Sequence, residues 1–480
     1  MKDWLRGAVE HARKLGASYA DIRLLNLVTE NIQVKNGTVE AITSRDTLGF
    51  GIRVIANGSW GFASSSLVNE SEMRRIADLA VQIAKASSTL KKDDVALAET
   101  EIRTDKYVTP IKKDPFSVPL KSKLAILLEA DKVLRAKAGV KIAETNMRFF
   151  RTEKTFISSE GAEIDQVIYE SGGGIAATAI DGDQMQIRSF PNSFRGNYGT
   201  AGYEFIEGLD LISHAPRVAA EAVALLTAKE CPSKTTSLLI GGSQLALQVH
   251  ESCGHPIELD RVFGMEASYA GTSFMTPDKL NKLQYGSKIV NIYADATILG
   301  GLGTFGYDDE GVKAQRTPIV KEGLFVGYLT SRETAIKLGQ KSNGTCRADG
   351  WWNIPLIRMI NVNLEPGDWE FDKLIKDTND GILVETNKSW SIDDKRLNFH
   401  FGCEIGWEIK NGVLGDMIKN PTYTGITPEF WNSCDAICNK NHWIVWGTPN
   451  CGKGEPPQMA HVAHGTAPSR FRNVKVGVSK

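Results

Sequence analysis

Two Asn-Gly pairs constrain the fold of this chain more than any other local feature. Asn36-Gly37 lies between Ile32-Gln-Val34 and Val39-Glu-Ala-Ile42, and Asn57-Gly58 lies between Gly51-Ile-Arg-Val-Ile55 and Trp60-Gly-Phe62. Both residues of a tight two-residue turn need positive φ, which Asn and Gly adopt at low cost, so each pair predicts a β-hairpin. Helical patterns bracket the hairpins. Trp4, Leu5, Ala8, Ala12 and Leu15 share one side of a predicted helix over 3–15, and Ile76, Leu79, Ala80 and Ile83 recur at helical spacing over 70–87. Residues 91–118 are polar, contain prolines and read as a connector. A helix near 119–137 then leads into alternating strands up to 192, and an alanine-rich helix over 215–229 ends before Cys231-Pro232. The expected fold class is therefore α+β. Residues 1–230 form an N-terminal α+β domain, and 231–480, rich in short strands, glycine and tryptophan, form a mainly β C-terminal domain.

Within the second domain one segment stands apart. Ser237-Leu-Leu-Ile240 reads as a strand, Gly241-Gly242 as a turn, and Ser243 as the N-cap of a helix that turns Leu245 and Val249 inward. That helix delivers His250-Glu251-Ser252-Cys253-Gly254-His255, an HExxxH pattern. Two imidazoles can hold a zinc ion, and a carboxylate beside the first can take a proton from the attacking water. Against this stands the plain alternative of two surface histidines near a helix end. The spacing is awkward. Histidines four apart lie about 40° from each other around a helix, whereas five apart they lie about 140° from each other. Gly254 is conformationally permissive and Pro256 disfavours helical geometry at His255, so the helix is expected to break or bulge there. A catalytic zinc takes three protein ligands and leaves one position open. Cys253, Glu258, Asp260, Cys451, His461 and His464 are the candidates for the third, and chemistry alone does not choose among them.

Other patterns carry less. Gly301-Leu-Gly303-Thr-Phe-Gly306 spells GxGxxG, but the acidic, glycine-broken Tyr307-Asp-Asp-Glu-Gly311 that follows suits a turn and not a phosphate-binding helix. Gly447 to Lys453 spells GxxxxGK, yet residue 454 is Gly, which removes the magnesium-binding hydroxyl, and Pro456-Pro457 blocks the following helix. Cys434 and Cys438 lack CxxC spacing and read as core or loop thiols. Trp351, Trp352, Trp390 and Trp407 are expected to pack the β core. The 56 basic and 57 acidic residues give no pull toward nucleic acid, and the C-terminal cluster of Arg470, Arg472, Lys475 and Lys480 reads as a solvated tail. No run approaches the ~20 apolar residues needed to span a bilayer, and Met1 to Lys14 lacks the apolar stretch of a signal peptide. Seven scattered cysteines do not suggest a disulfide framework, so a cytoplasmic location is expected.

The segment around His250, Glu266-Ala-Ser-Tyr-Ala-Gly-Thr-Ser-Phe274, Gly303-Thr-Phe-Gly-Tyr-Asp-Asp-Glu-Gly311 and the ending from Cys451-Gly-Lys-Gly to His464-Gly-Thr-Ala-Pro-Ser-Arg-Phe471 together resemble the TldD/PmbA family. Gly49-Phe-Gly-Ile-Arg-Val54 within the hairpins matches as well, so the resemblance covers nearly the whole chain. These proteins were once described as modulators of DNA gyrase and are now understood as metallopeptidases. The resemblance implies zinc, with iron as the other metal to consider, held by His250, His255 and Cys451, and Glu251 as general base. It further implies an unfolded or extended peptide substrate cleaved inside a dimer cavity. The partner would be a second copy or a TldE/PmbA-like paralogue that lacks the motif. Because this chain keeps every motif position, it resembles the catalytic member. The rival expectation is a non-catalytic regulatory subunit in which the metal is structural. No role follows from the sequence for Lys453, His461 or His464.

Overall fold

The computed structural model describes residues 1–455 and 457–477; Pro456 and the Lys480 of the basic C-terminal cluster lie outside the described residues. Both Asn-Gly pairs make their hairpins, with Asn36 and Asn57 at φ of 49° and 50° and Gly37 and Gly58 at 79° and 72°. The strands they join are far longer than their apolar cores suggest: Tyr19–Lys35, Thr38–Ala56 and Ser59–Ser65. These belong to an eight-stranded sheet in which Tyr19–Lys35 also pairs with Val140–Ser158, and that strand pairs with Glu163–Asp181. Helices Lys2–Lys14 and Glu70–Ser87 bury Leu5, Ala8, Ile76 and Ala80 against one part of the sheet. Leu120–Arg135 and Leu211–Thr227 cover another part.

Several expectations are corrected. The connector contributes an edge strand, Thr104–Val108, parallel to Glu163–Asp181. In the first helix Trp4 faces solvent and Val9 takes the buried stripe; in Glu70–Ser87 the stripe runs through Met73, Ala77 and Val81, leaving Leu79 and Ile83 exposed. Arg470 and Arg472 do not form a solvated tail. They sit in the strand Ser469–Val476 and pair with Asp435. Trp352 and Trp390 are exposed, whereas Trp407 packs half-buried against a core cluster as expected, and Trp431 is fully buried in the core.

Beyond residue 230 the architecture is mainly β. Asp380–Ile392, Lys234–Ile240, Ser469–Val476, Thr422–Ile426 and Asn398–Lys410 pair in that order, and pairing of the first with the last closes the sheet into a ring. Leu238 and Ile240 on one strand, and Leu245, Val249 and Cys253 on the helix that follows, enter one large core with Trp431 and Phe471. Beside the ring stands a separate hairpin, Ile444–Lys453 with Gln458–Thr466. Three chain segments thus converge: the helix after Lys234–Ile240, this hairpin, and the turn between Asp380–Ile392 and Asn398–Lys410. Among the described residues no helix is long and apolar enough to cross a membrane, and all seven cysteines are free.

Candidate metal centre

The helix starts two residues earlier than the sequence suggests. It spans Gly242–Val249 with Gly241 as N-cap, so Ser243 lies inside it and caps nothing. From His250 to Gly254 the backbone widens into a π-helical turn, closed by the His255 N–H donating to the His250 carbonyl at 3.1 Å. Pro256 explains much of this. Lacking an N–H, it cannot satisfy the Ser252 carbonyl four residues back. The Tyr285 hydroxyl donates to that carbonyl instead, at 3.0 Å. The Ser252 hydroxyl donates to the Gln248 carbonyl and accepts from Trp431 Nε1 at 2.9 Å. The anticipated expulsion of His255 from helical geometry does not occur, since its φ and ψ are −67° and −42°. The turn bulges where a break was an equal prospect, and the wider turn returns His255 to the face of His250. Their ring centroids lie 4.9 Å apart.

One donor atom each from His250, His255 and Cys451 lies within 4.8 Å of the others, and all three residues are buried. Each imidazole is held in one tautomer by a partner behind it. The Val362 carbonyl can only accept, so His464 Nδ1–H donates to it at 2.8 Å, which leaves His464 Nε2 an acceptor. His250 Nδ1–H then donates to that atom at 2.7 Å, freeing the His250 Nε2 lone pair. His255 Nδ1–H donates to Glu258 Oε2 at 2.9 Å, freeing its own Nε2, which lies 3.9 Å from Cys451 Sγ. Burial pushes all three histidines below the usual range, His255 and His464 well below it, which favours the neutral form a ligand needs. Burial alone would raise the Cys451 thiol, but nearby positive charge, the Arg358 guanidinium included, outweighs it and holds the thiol below the ordinary value. Arg358 also donates to the Cys451 carbonyl at 2.5 Å. Two imidazole lone pairs and a thiol biased toward thiolate make a donor set suited to zinc. Tetrahedral zinc would separate a bound nitrogen and sulfur by about 3.6 Å, close to the observed 3.9 Å.

The remaining candidates fall elsewhere. Cys253 points into the core, its thiol pushed up to about 12 by burial. Glu258 and Asp260 stand behind the donors with Lys453, whose Nζ is 2.7 Å from Asp260 and 3.5 Å from Glu258. Lys453 thereby gains a place in the account: it is fully buried and holds the carboxylate that orients His255. His464 orients His250, whereas His461 turns to Glu170 at 2.7 Å, on the wall of a separate cavity. Glu251 is buried, and Arg396 Nη1 donates to its Oε2 at 2.5 Å. Arg358 and Arg396 were missed by sequence reasoning, because lone arginines far along the chain carry no local signal. Gly303 to Gly306 open no helix, and Gly447 to Lys453 lie in a strand.

Three adjoining regions match models of one family: domain 1 of the PmbA/TldA metallopeptidases over residues 20–84, their central domain over 113–229, and their C-terminal domain over 234–477. The chain belongs to the PmbA/TldD metallopeptidase family. It is a metal-dependent peptide hydrolase by that membership. A metalloprotease of Methanothermobacter thermautotrophicus is 30% identical over 459 residues, which is 96% of this chain and 95% of the relative. A protein of Saccharolobus solfataricus named zinc metalloprotease TldD homolog is 21% identical and covers 98% of both chains. The crystal structure of TldE from Thermococcus kodakarensis shares the fold, with a TM-score of 0.77 at 16% identity over 99% of this chain and 100% of that one.

Proposed function

We propose that this family member hydrolyses peptide bonds with a zinc ion held by His250, His255 and Cys451 and with Glu251 as general base. One observation carries the reading: a π-helical turn, a separate hairpin and two fixed tautomers aim three buried donors at one point. When bound, zinc supplies Lewis acidity to the scissile carbonyl and to the attacking water. The chain's own groups do the rest. Glu251, next to His250 in the chain, takes the proton from the attacking water and returns it to the leaving amine. The Glu258 and His464 contacts keep both imidazoles oriented through the cycle. Burial of all three donors excludes bulk water and strengthens each electrostatic interaction.

The substrate we propose is an unfolded or extended peptide, recognised mainly through its backbone. We place the reaction in a cavity shared with a second subunit, a copy of this chain or a TldE-like paralogue. A cytoplasmic setting accords with seven free thiols. The test is metal analysis of the purified protein, read for zinc against iron, together with cleavage of an unstructured peptide, alone and with the paralogue. Zinc in stoichiometric amount with cleavage supports the reading. Zinc without cleavage in either arrangement would favour a regulatory subunit with a structural metal. Cys451→Ser should abolish zinc retention and Cys253→Ser should not; the reverse would move the third ligand.

A further inference from the structure

The ion pair between Arg396 and Glu251 joins the turn after the strand Asp380–Ile392 to the widened helical turn that carries the histidines. Arg396 sits in the tight turn between the strands Asp380–Ile392 and Asn398–Lys410, at φ 63°, a left-handed backbone conformation unfavourable for a residue with a Cβ. The turn is pinned without help from the Arg396 side chain. Arg396 N–H donates to the Asp393 carbonyl at 2.8 Å, and Leu397 N–H to Asp393 Oδ1 at 2.7 Å. From outside, the Thr427 hydroxyl donates to the Arg396 carbonyl at 3.0 Å, and Thr272 and Phe274 donate backbone N–H groups to the Asp394 and Lys395 carbonyls, both at 3.0 Å.

The side chain is therefore not needed to hold the turn; the turn holds the side chain. It reaches Glu251 Oε2 at 2.5 Å, while its Nε is buried without a partner. The other Glu251 oxygen, Oε1, accepts no hydrogen bond from the described residues. One oxygen is thus tethered and the other left free, on a carboxylate whose neighbour is His250.

We propose that Arg396 is a positioning residue: it fixes one oxygen of Glu251 so that the other faces the attacking water. This rests on the reading of Glu251 as general base. A freely rotating carboxylate would spend most of its time misaimed, and misplacement of a catalytic group by about 1 Å costs on the order of 100-fold in rate. The guanidinium tether removes that loss.

The backbone supplies a clean test. Glycine is at ease at positive φ, so Arg396→Gly removes the side chain while relieving the turn, and Arg396→Asn is a second variant that tolerates the same conformation. With the zinc-loaded protein and an unstructured peptide, both variants should keep zinc content and KM, while kcat falls about 100-fold. Added guanidinium ion at low millimolar concentration should restore part of the kcat of Arg396→Gly and leave the wild type unchanged. In crystals of the metal-free proteins, the Glu251 carboxylate should hold one orientation in the wild type and several in Arg396→Gly. An unchanged kcat in both variants, or a single unchanged Glu251 orientation in Arg396→Gly, would overturn the proposal. A wild type that cleaves no peptide would defeat the peptidase reading instead, and the crystallographic comparison would still decide whether Arg396 aims Glu251.

Discussion

Glu258→Gln should weaken metal binding without touching a metal-binding atom. Glu258 is fully buried; its Oε2 accepts from His255 Nδ1 at 2.9 Å, and its two oxygens lie 3.5 Å from Lys453 Nζ and 3.8 Å from Arg261 Nε. Gln keeps the shape and can still accept from His255, but it removes the charge that raises the basicity of the ring. Loss of such a partner costs about 10–100-fold in metal affinity, or about 1.4–2.7 kcal/mol. The substitution also unbalances a buried group in which Glu258 and Asp260 offset Lys453 and Arg261. Removing one member of a buried ion pair costs ~3–5 kcal/mol. Asp260 still holds Lys453 at 2.7 Å, which places the cost near ~3 kcal/mol and the fall in thermal midpoint at ~6–12 °C for a domain of this size. Chelator competition reads the first effect and thermal unfolding of the metal-free protein reads the second. A folded Glu258→Gln protein with wild-type zinc affinity would refute the assignment of Glu258 as the group that orients His255.

Three further outcomes are expected. His464→Ala leaves His250 Nδ1–H without its acceptor and should lower zinc affinity about 10–100-fold, whereas His461→Ala, on the same strand but paired with Glu170, should leave zinc affinity unchanged. Gly254→Ala places a Cβ 2.1 Å from Sδ of the buried Met359 and should cost ~1–3 kcal/mol in denaturant unfolding; Gly208→Ala, with nothing within 4 Å, should cost none. Burial, followed by the neighbouring Glu310, raises the Asp308 carboxyl to about 8, so the folded state binds its proton more tightly than the unfolded chain does. Its contribution to stability is full below the unfolded value and is lost as pH rises through the folded one, over roughly pH 4 to 8; Asp308→Asn should flatten that slope in unfolding measured across the range.

The sequence revealed local geometry well and distant geometry poorly. The Asn-Gly turns were legible because positive φ is written in two adjacent residues, and the irregular turn at His250 because Gly254 and Pro256 stand beside it. How the chain would answer Pro256 was not legible. The widened turn depends on Tyr285 and Trp431, which approach from elsewhere in the core. Likewise the identity of the third donor came through family resemblance and not through spacing, since Cys451 lies 196 residues from His255. Arg396 escaped notice for the same reason, its role being set by a turn 145 residues beyond Glu251. The exposed Leu79 and Ile83 show the remaining weakness: helical spacing finds an apolar stripe, but the sheet that the helix meets selects which stripe is buried.

The central claim is that Glu251 performs the proton transfer at a metal centre built from His250, His255 and Cys451. Glu251→Gln, loaded with zinc and assayed on an unstructured peptide, tests it most directly. The side chain keeps its size, and none of the three donors changes. Zinc content should therefore match the wild type while kcat falls about 100- to 10,000-fold, the usual contribution of a general base. Undiminished cleavage by a fully zinc-loaded Glu251→Gln protein would contradict the account.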